Sequence, residues 1–154
     1  MILPYVHSIS INWYSDNEVV RTTLQCNYYG TLETTQEFLS LIRDGGRVVN
    51  VSSVSGKLYN FSPALQNKFK TAKTHNEITA LMESFKSAVA AGKEKEEGWP
   101  SAAYATSKAG VTSMTRCIAE DLKTKGSKTL VNACCPGYVR VRVSQLKCES
   151  CCVC

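Results

Sequence analysis

Apolar residues recur three or four positions apart along most of this chain, and two short β-branched runs interrupt that rhythm. Val19, Val20, Leu24, Tyr28, Leu32, Phe38, Leu39 and Ile42 share one helical face. Asp16 is placed to cap that helix, and Gly45 and Gly46 to stop it. Residues 47–53, Arg-Val-Val-Asn-Val-Ser-Ser, then read as a short buried strand of a parallel sheet. Ser62-Pro63 predicts a capped helix start with proline in its first turn. Thr74 and Glu77 fit a capping box. The helix they open carries Ile78, Leu81, Met82, Phe85 and Val89 at helical spacing and ends near Gly92. These residues read as core. Another helix is predicted over about 101–125, with Gly126 just beyond it. Residues 128–134 form a second buried strand, and Pro136-Gly137 turns the chain. In residues 1–15, Tyr5, His7, Ile9, Ile11 and Trp13 alternate with their neighbours, a weak strand pattern. Nothing is periodic beyond Val143, and there are no internal repeats.

Helix, strand, helices, strand is the order of an α/β fold with parallel strands. Such sheets bind ligands beyond the carboxyl ends of their strands. Ser52 and Ser53 stand at one of those ends and Pro136-Gly137 at the other. Tyr104 opens the helix between them, and Lys108 follows one turn later on the same face. An ammonium beside a phenol favours the phenolate, and a phenol tuned in this way can exchange a proton near neutral pH. The plainer alternative is an amphipathic helix with a core tyrosine and a surface lysine.

Composition narrows the classes. The chain has 154 residues, 44% apolar and 20% charged, which fits one soluble globular domain. No run approaches the roughly eighteen apolar residues of a membrane helix. The N-terminus has neither the basic start nor the apolar core of a signal peptide, so a cytoplasmic location is expected. The net charge of +5 is scattered. Its densest run, residues 93–97, mixes signs as a solvated helix end does, and no nucleic-acid footprint emerges. Of eight cysteines, Cys26, Cys117, Cys134 and Cys135 lie in apolar contexts and are expected as buried thiols. The other four, Cys148, Cys151, Cys152 and Cys154, crowd the C-terminus. That cluster allows a zinc site, a prenylation box or a disordered tail; the tail is the reading taken, with no metal. His7 and His75 lack partners at ligand spacing.

Four motifs in order resemble the short-chain dehydrogenase/reductase family: Asn27-Tyr28-Tyr29-Gly30, the run from Val48 to Ser53, Tyr104-x-x-x-Lys108, and Pro136-Gly137. Residues 97–104 and 132–140, with a long helical insertion over 57–98, resemble its carbonyl reductase branch. The resemblance covers about residues 18–140. It implies a Rossmann-like doubly wound parallel sheet and reduction of a small carbonyl compound with hydride from NADPH, NADH not being excluded. It implies that Tyr104 protonates the developing alkoxide and that Lys108 lowers the tyrosine's pKa and holds the nicotinamide ribose. Ser53 would donate to the carbonyl oxygen and Asn27 would hold a water in a proton relay. Pro136, Gly137 and Val139 would line the nicotinamide. A monomer is the expectation, since in the family the insertion covers the surface used for dimerisation. The plainer alternatives are a solvent-facing Asn27 and a Ser53 hydroxyl that bonds a nearby backbone group.

The chain also departs from the pattern. None of its nine glycines lies in a G-x-G arrangement, the phosphate-binding turn of a dinucleotide enzyme. Val141 and Arg142 stand where the family has a threonine and an acidic residue. The expected organisation is therefore a truncated Rossmann-like reductase domain over 1–143, containing only the central and C-terminal part of the sheet, and a disordered Cys-rich tail over 144–154. Its sheet should expose an edge and apolar faces. Two functions follow: NADPH-dependent carbonyl reduction with an Asn-Ser-Tyr-Lys set, or an inactive remnant unable to bind the dinucleotide.

Overall fold

The computed structural model describes residues 16–137. The first helix starts where Asp16 accepts a hydrogen bond from the Val19 amide at 2.8 Å. It runs as α1 (Asn17–Leu24), a π-helical turn (Gln25–Tyr29) and α2 (Gly30–Leu41). The single predicted helix is thus one helical path with a π-turn inserted. It ends when Ile42 turns extended, before the glycine pair is reached. β1 (Arg47–Val51) follows, then two 3-10 turns, Val54–Gly56 and Leu58–Asn60. The insertion carries α3 (Pro63–Thr71), capped by Ser62 with Pro63 in its first turn, and α4 (His75–Ala90). Thr74 and Glu77 form the expected reciprocal cap of α4, the Thr74 hydroxyl lying 3.3 Å from the Glu77 amide. α5 (Ala103–Thr124) leads to β2 (Leu130–Cys134).

The two strands pair in parallel, Arg47 opposite Leu130 and Val51 opposite Cys134. The Ser52 amide extends the ladder to the Cys134 carbonyl at 2.7 Å. α2 and α5 pack on the sheet, and α1 and α4 pack on α5. The core lies between these layers and is built from Val20, Leu24, Tyr28, Met82, Phe85, Val111 and Met114. Phe61, Phe69 and Phe85 surround Trp99 edge-on or tilted, with ring centroids 5.3–6.2 Å apart, and this cluster fixes the insertion to the start of α5.

Two expectations are corrected. β1 is buried on one face only: Asn50 points into the helical layer, while Val49 and Val51 are 56% and 47% exposed. Among the described residues, no second layer covers the far face. The cysteines also differ from expectation, because only Cys117 is buried. Cys134 is intermediate, and Cys26 and Cys135 are exposed. Apolar sequence neighbours do not ensure burial when the cysteine itself falls on the outer side of a helix or beyond a strand end. The pattern in residues 1–15, Val139, Val141, Arg142 and the cysteine tail lie outside the described residues. Among those described, no helix is long and apolar enough to cross a membrane, and no group of three His, Cys, Asp or Glu side chains could hold a metal.

Candidate active site

The site grows from the carboxyl end of β1. Ser53, buried and extended (φ −148), leaves the strand and caps the 3-10 turn that follows, its hydroxyl accepting from the Ser55 amide at 3.2 Å. A hydroxyl that accepts this bond still has its own hydrogen to donate. Local bonding and a donor role are therefore compatible. The turn then runs against α5. A Cβ on Gly56 would stand 2.7 Å from both the Lys108 carbonyl carbon and the Ala109 nitrogen. Only glycine allows that approach, which seats the Ser53 turn on the helix at Lys108.

Tyr104 lies in the first turn of α5, half-buried, and Lys108 one turn later. The ammonium of Lys108 is 5.6 Å from the Tyr104 ring centroid and donates to the Val51 carbonyl at 2.9 Å. The predicted pairing of tyrosine and lysine on one face is realised, and the lysine head also reaches the strand end next to Ser53.

Asn27 sits in the π-turn. π-turns inside α-helices re-aim side chains and are frequent at functional sites. Here Asn27 is half-buried, and its amide donates to the Ser107 hydroxyl at 3.2 Å. Ser107 in turn donates to the Tyr104 carbonyl at 2.7 Å. Asn27 is therefore tied to the turn of α5 that carries Tyr104 instead of facing solvent. The π-turn is itself anchored. The buried Tyr28 hydroxyl shares a hydrogen bond with Thr79 at 2.9 Å, and burial pushes its pKa up to about 12. Tyr29 donates to Glu83, which also pairs with Lys86 at 2.8 Å. The Lys86 and Tyr29 bonds together hold the Glu83 carboxyl below the usual carboxylate range. Gly110 lets α5 come close, since a Cβ there would stand 2.8 Å from Met82 Sδ and from the Tyr28 ring.

Contacts thus join the elements bearing Ser53, Tyr104, Lys108 and Asn27. Pro136 and Gly137 lie exposed beyond the end of β2, which is bonded to Ser52 through Cys134. Val139 lies outside the described residues. Sequence reasoning placed Ser52 at the strand end without its partners on α5, and it missed Ser107. Small residues at 107 and 110 mark a close helix face, but the partner of Ser107 is 80 positions away. Two buried hydroxyls near Tyr104, those of Ser101 and Thr106, have no hydrogen-bond partner.

A family model for short chain dehydrogenases matches residues 86–150. The chain is 45% identical over 123 residues to human carbonyl reductase (NADPH) 1, covering 77% of this chain and 44% of that protein. It is 45% identical over the same length to the rabbit (Oryctolagus cuniculus) protein of that name. Among solved structures, salutaridine reductase from Papaver somniferum superposes with a TM-score of 0.72 at 30% identity, covering 80% of this chain and 43% of that one. Menthone neomenthol reductase from Mentha piperita gives 0.68 at 28% identity. The chain spans less than half the length of the relatives it matches.

Proposed function

Since the chain belongs to the short-chain dehydrogenase/reductase family, we propose that it serves NADPH-dependent reduction of a small carbonyl compound to the alcohol, with Tyr104 as proton donor. The observation that carries this reading is the Lys108 ammonium. It is held at the end of β1 by the Val51 carbonyl and lies 5.6 Å from the Tyr104 ring. In that position it steadies the phenolate left once Tyr104 has given its proton to the substrate oxygen. Ser53, at the same strand end, donates a hydrogen bond to the carbonyl oxygen as negative charge grows there. Asn27, tied to α5 through Ser107, holds a water that returns a proton toward Lys108 and Tyr104.

NADPH, when bound, supplies the hydride that reaches the carbonyl carbon. Tyr104 and Lys108 suit its ribose and nicotinamide end, since a phenol and an ammonium on one helix face can both bond a diol. Pro136, Gly137 and Val139 would line the nicotinamide. The pyrophosphate end has no cradle among the described residues. β1 runs into Ser52, Ser53 and Val54, with no glycine-rich turn onto a helix N-terminus. That observation favours a second reading, a family member that keeps the proton-donating set without dinucleotide binding. A cytoplasmic location and no partner subunit accompany the first reading.

Titration of NADPH fluorescence separates the two. Saturation at micromolar cofactor supports the reductase, and Tyr104→Phe should then lower turnover by roughly 10²–10⁴-fold. A linear response with no saturation, and no turnover of simple aldehydes or ketones, would defeat it in favour of the second.

A further inference from the structure

Ser52 is fully buried at the last rung of the sheet and has no part in the scheme above. Its hydroxyl lies 3.0 Å from the Lys108 carbonyl oxygen and 2.6 Å from the Thr112 hydroxyl. A serine hydroxyl has one hydrogen, and a carbonyl can only accept. The hydrogen of Ser52 therefore goes to Lys108, and Thr112 must donate to Ser52. The order is Thr112 to Ser52 to the Lys108 carbonyl.

The preceding peptide unit is engaged with the same residue. Across a trans peptide the C=O of one residue and the N–H of the next point opposite ways. The Ser52 N–H points to Cys134 in β2, so the Val51 C=O points to the other edge of β1, which is unpaired among the described residues. A strand-edge carbonyl needs a partner, and the Lys108 ammonium is that partner at 2.9 Å. Val51, the last residue of β1, and Ser52, which follows it, thus hold one lysine at both ends. Ser52 takes its main-chain carbonyl, and Val51 takes its ammonium.

We propose that Ser52 is a positioning residue for Lys108. By pinning the lysine's peptide to the strand end, it fixes the origin from which a long, flexible side chain reaches both Val51 and the Tyr104 ring. The proposal rests on the reading that Lys108 works beside Tyr104. If Ser52 only satisfied a backbone acceptor, loosening it would leave the lysine head undisturbed.

The test follows the lysine ammonium groups of the whole chain by 15N NMR, with no cofactor or substrate present. The Lys108 signal is assigned by its loss in Lys108→Met, and Lys86, paired with Glu83 on α4, is the control. Ser52→Ala should speed solvent exchange of the Lys108 ammonium by about tenfold, in line with losing one buried hydrogen bond, and leave Lys86 unchanged. Thr112→Val should act in the same direction more weakly, and Thr112→Ser should match the parent. Wild-type exchange in both Ser52→Ala and Thr112→Val overturns the proposal. Should Ser52→Ala not fold, Thr112→Val decides alone, since Thr112 is exposed on α5 and not part of the core. A failed NADPH titration would count against the reductase reading and leave this result standing.

Discussion

Individual residues show where burial, and not sequence, sets chemistry. Tyr28 has an ordinary phenol, yet its ring is wholly buried behind Gly110 and its hydroxyl meets Thr79. Burial disfavours the phenolate and raises the pKa to about 12. The folded state therefore holds this proton more tightly than the unfolded chain, whose tyrosine titrates near 10. The associated stability is complete below about pH 10 and is lost as pH rises toward 12. Urea unfolding at pH 8 to 11.5 should show a decline that is shallower in Tyr28→Phe. Parallel curves for the two proteins would sink the assignment. Helical spacing placed Tyr28, and not its half-buried neighbour Tyr29, on the apolar face, but it did not give the depth of that face. A period of about 3.6 distinguishes faces of a helix, but the depth of each face depends on what packs against it.

Whole elements were largely legible. Asp16, Ser62 with Pro63, and Thr74 with Glu77 start their helices as their chemistry predicts, because capping is settled within one turn. Thr74→Ala should destabilise the protein by about 1 kcal/mol, as for other N-cap deletions. The Glu77 carboxyl is held below its ordinary range chiefly by the Thr74 hydroxyl and then by the Lys73 amide. Its contribution is therefore present above the unfolded pKa and is lost as pH falls through the folded one. The Thr74→Ala penalty should shrink in acid, and an equal penalty at pH 7 and pH 3 would contradict the reciprocal cap. The π-turn was not legible. Leu24, Tyr28 and Leu32 keep a regular spacing through it, and the extra residue accommodated there is a compromise. It lets Tyr28 fill the gap beside Gly110 while Asn27 meets Ser107.

At the scale of the molecule, the far face of the sheet is bare among the described residues. Val49, Val51 and Leu130 are exposed there, although parallel strands are ordinarily covered on both sides. Open-ended, concentration-dependent self-association through that face is the expected behaviour, and Val49→Lys should suppress it without disturbing the inward-facing Asn50. Sedimentation velocity reads this directly. A monomer at every accessible concentration would overturn this prediction. By itself the sequence determined the helices, the two strands, their parallel order and the Tyr104–Lys108 pairing, because caps, periods and one-turn spacings are interactions between near neighbours. Only the tertiary structure decided which strand face is buried, which cysteine is sheltered, and how Asn27 and Ser52 reach α5. Those outcomes depend on contacts between residues roughly 50 to 80 positions apart, and no local propensity encodes which of many distant partners the packed layers will bring into reach.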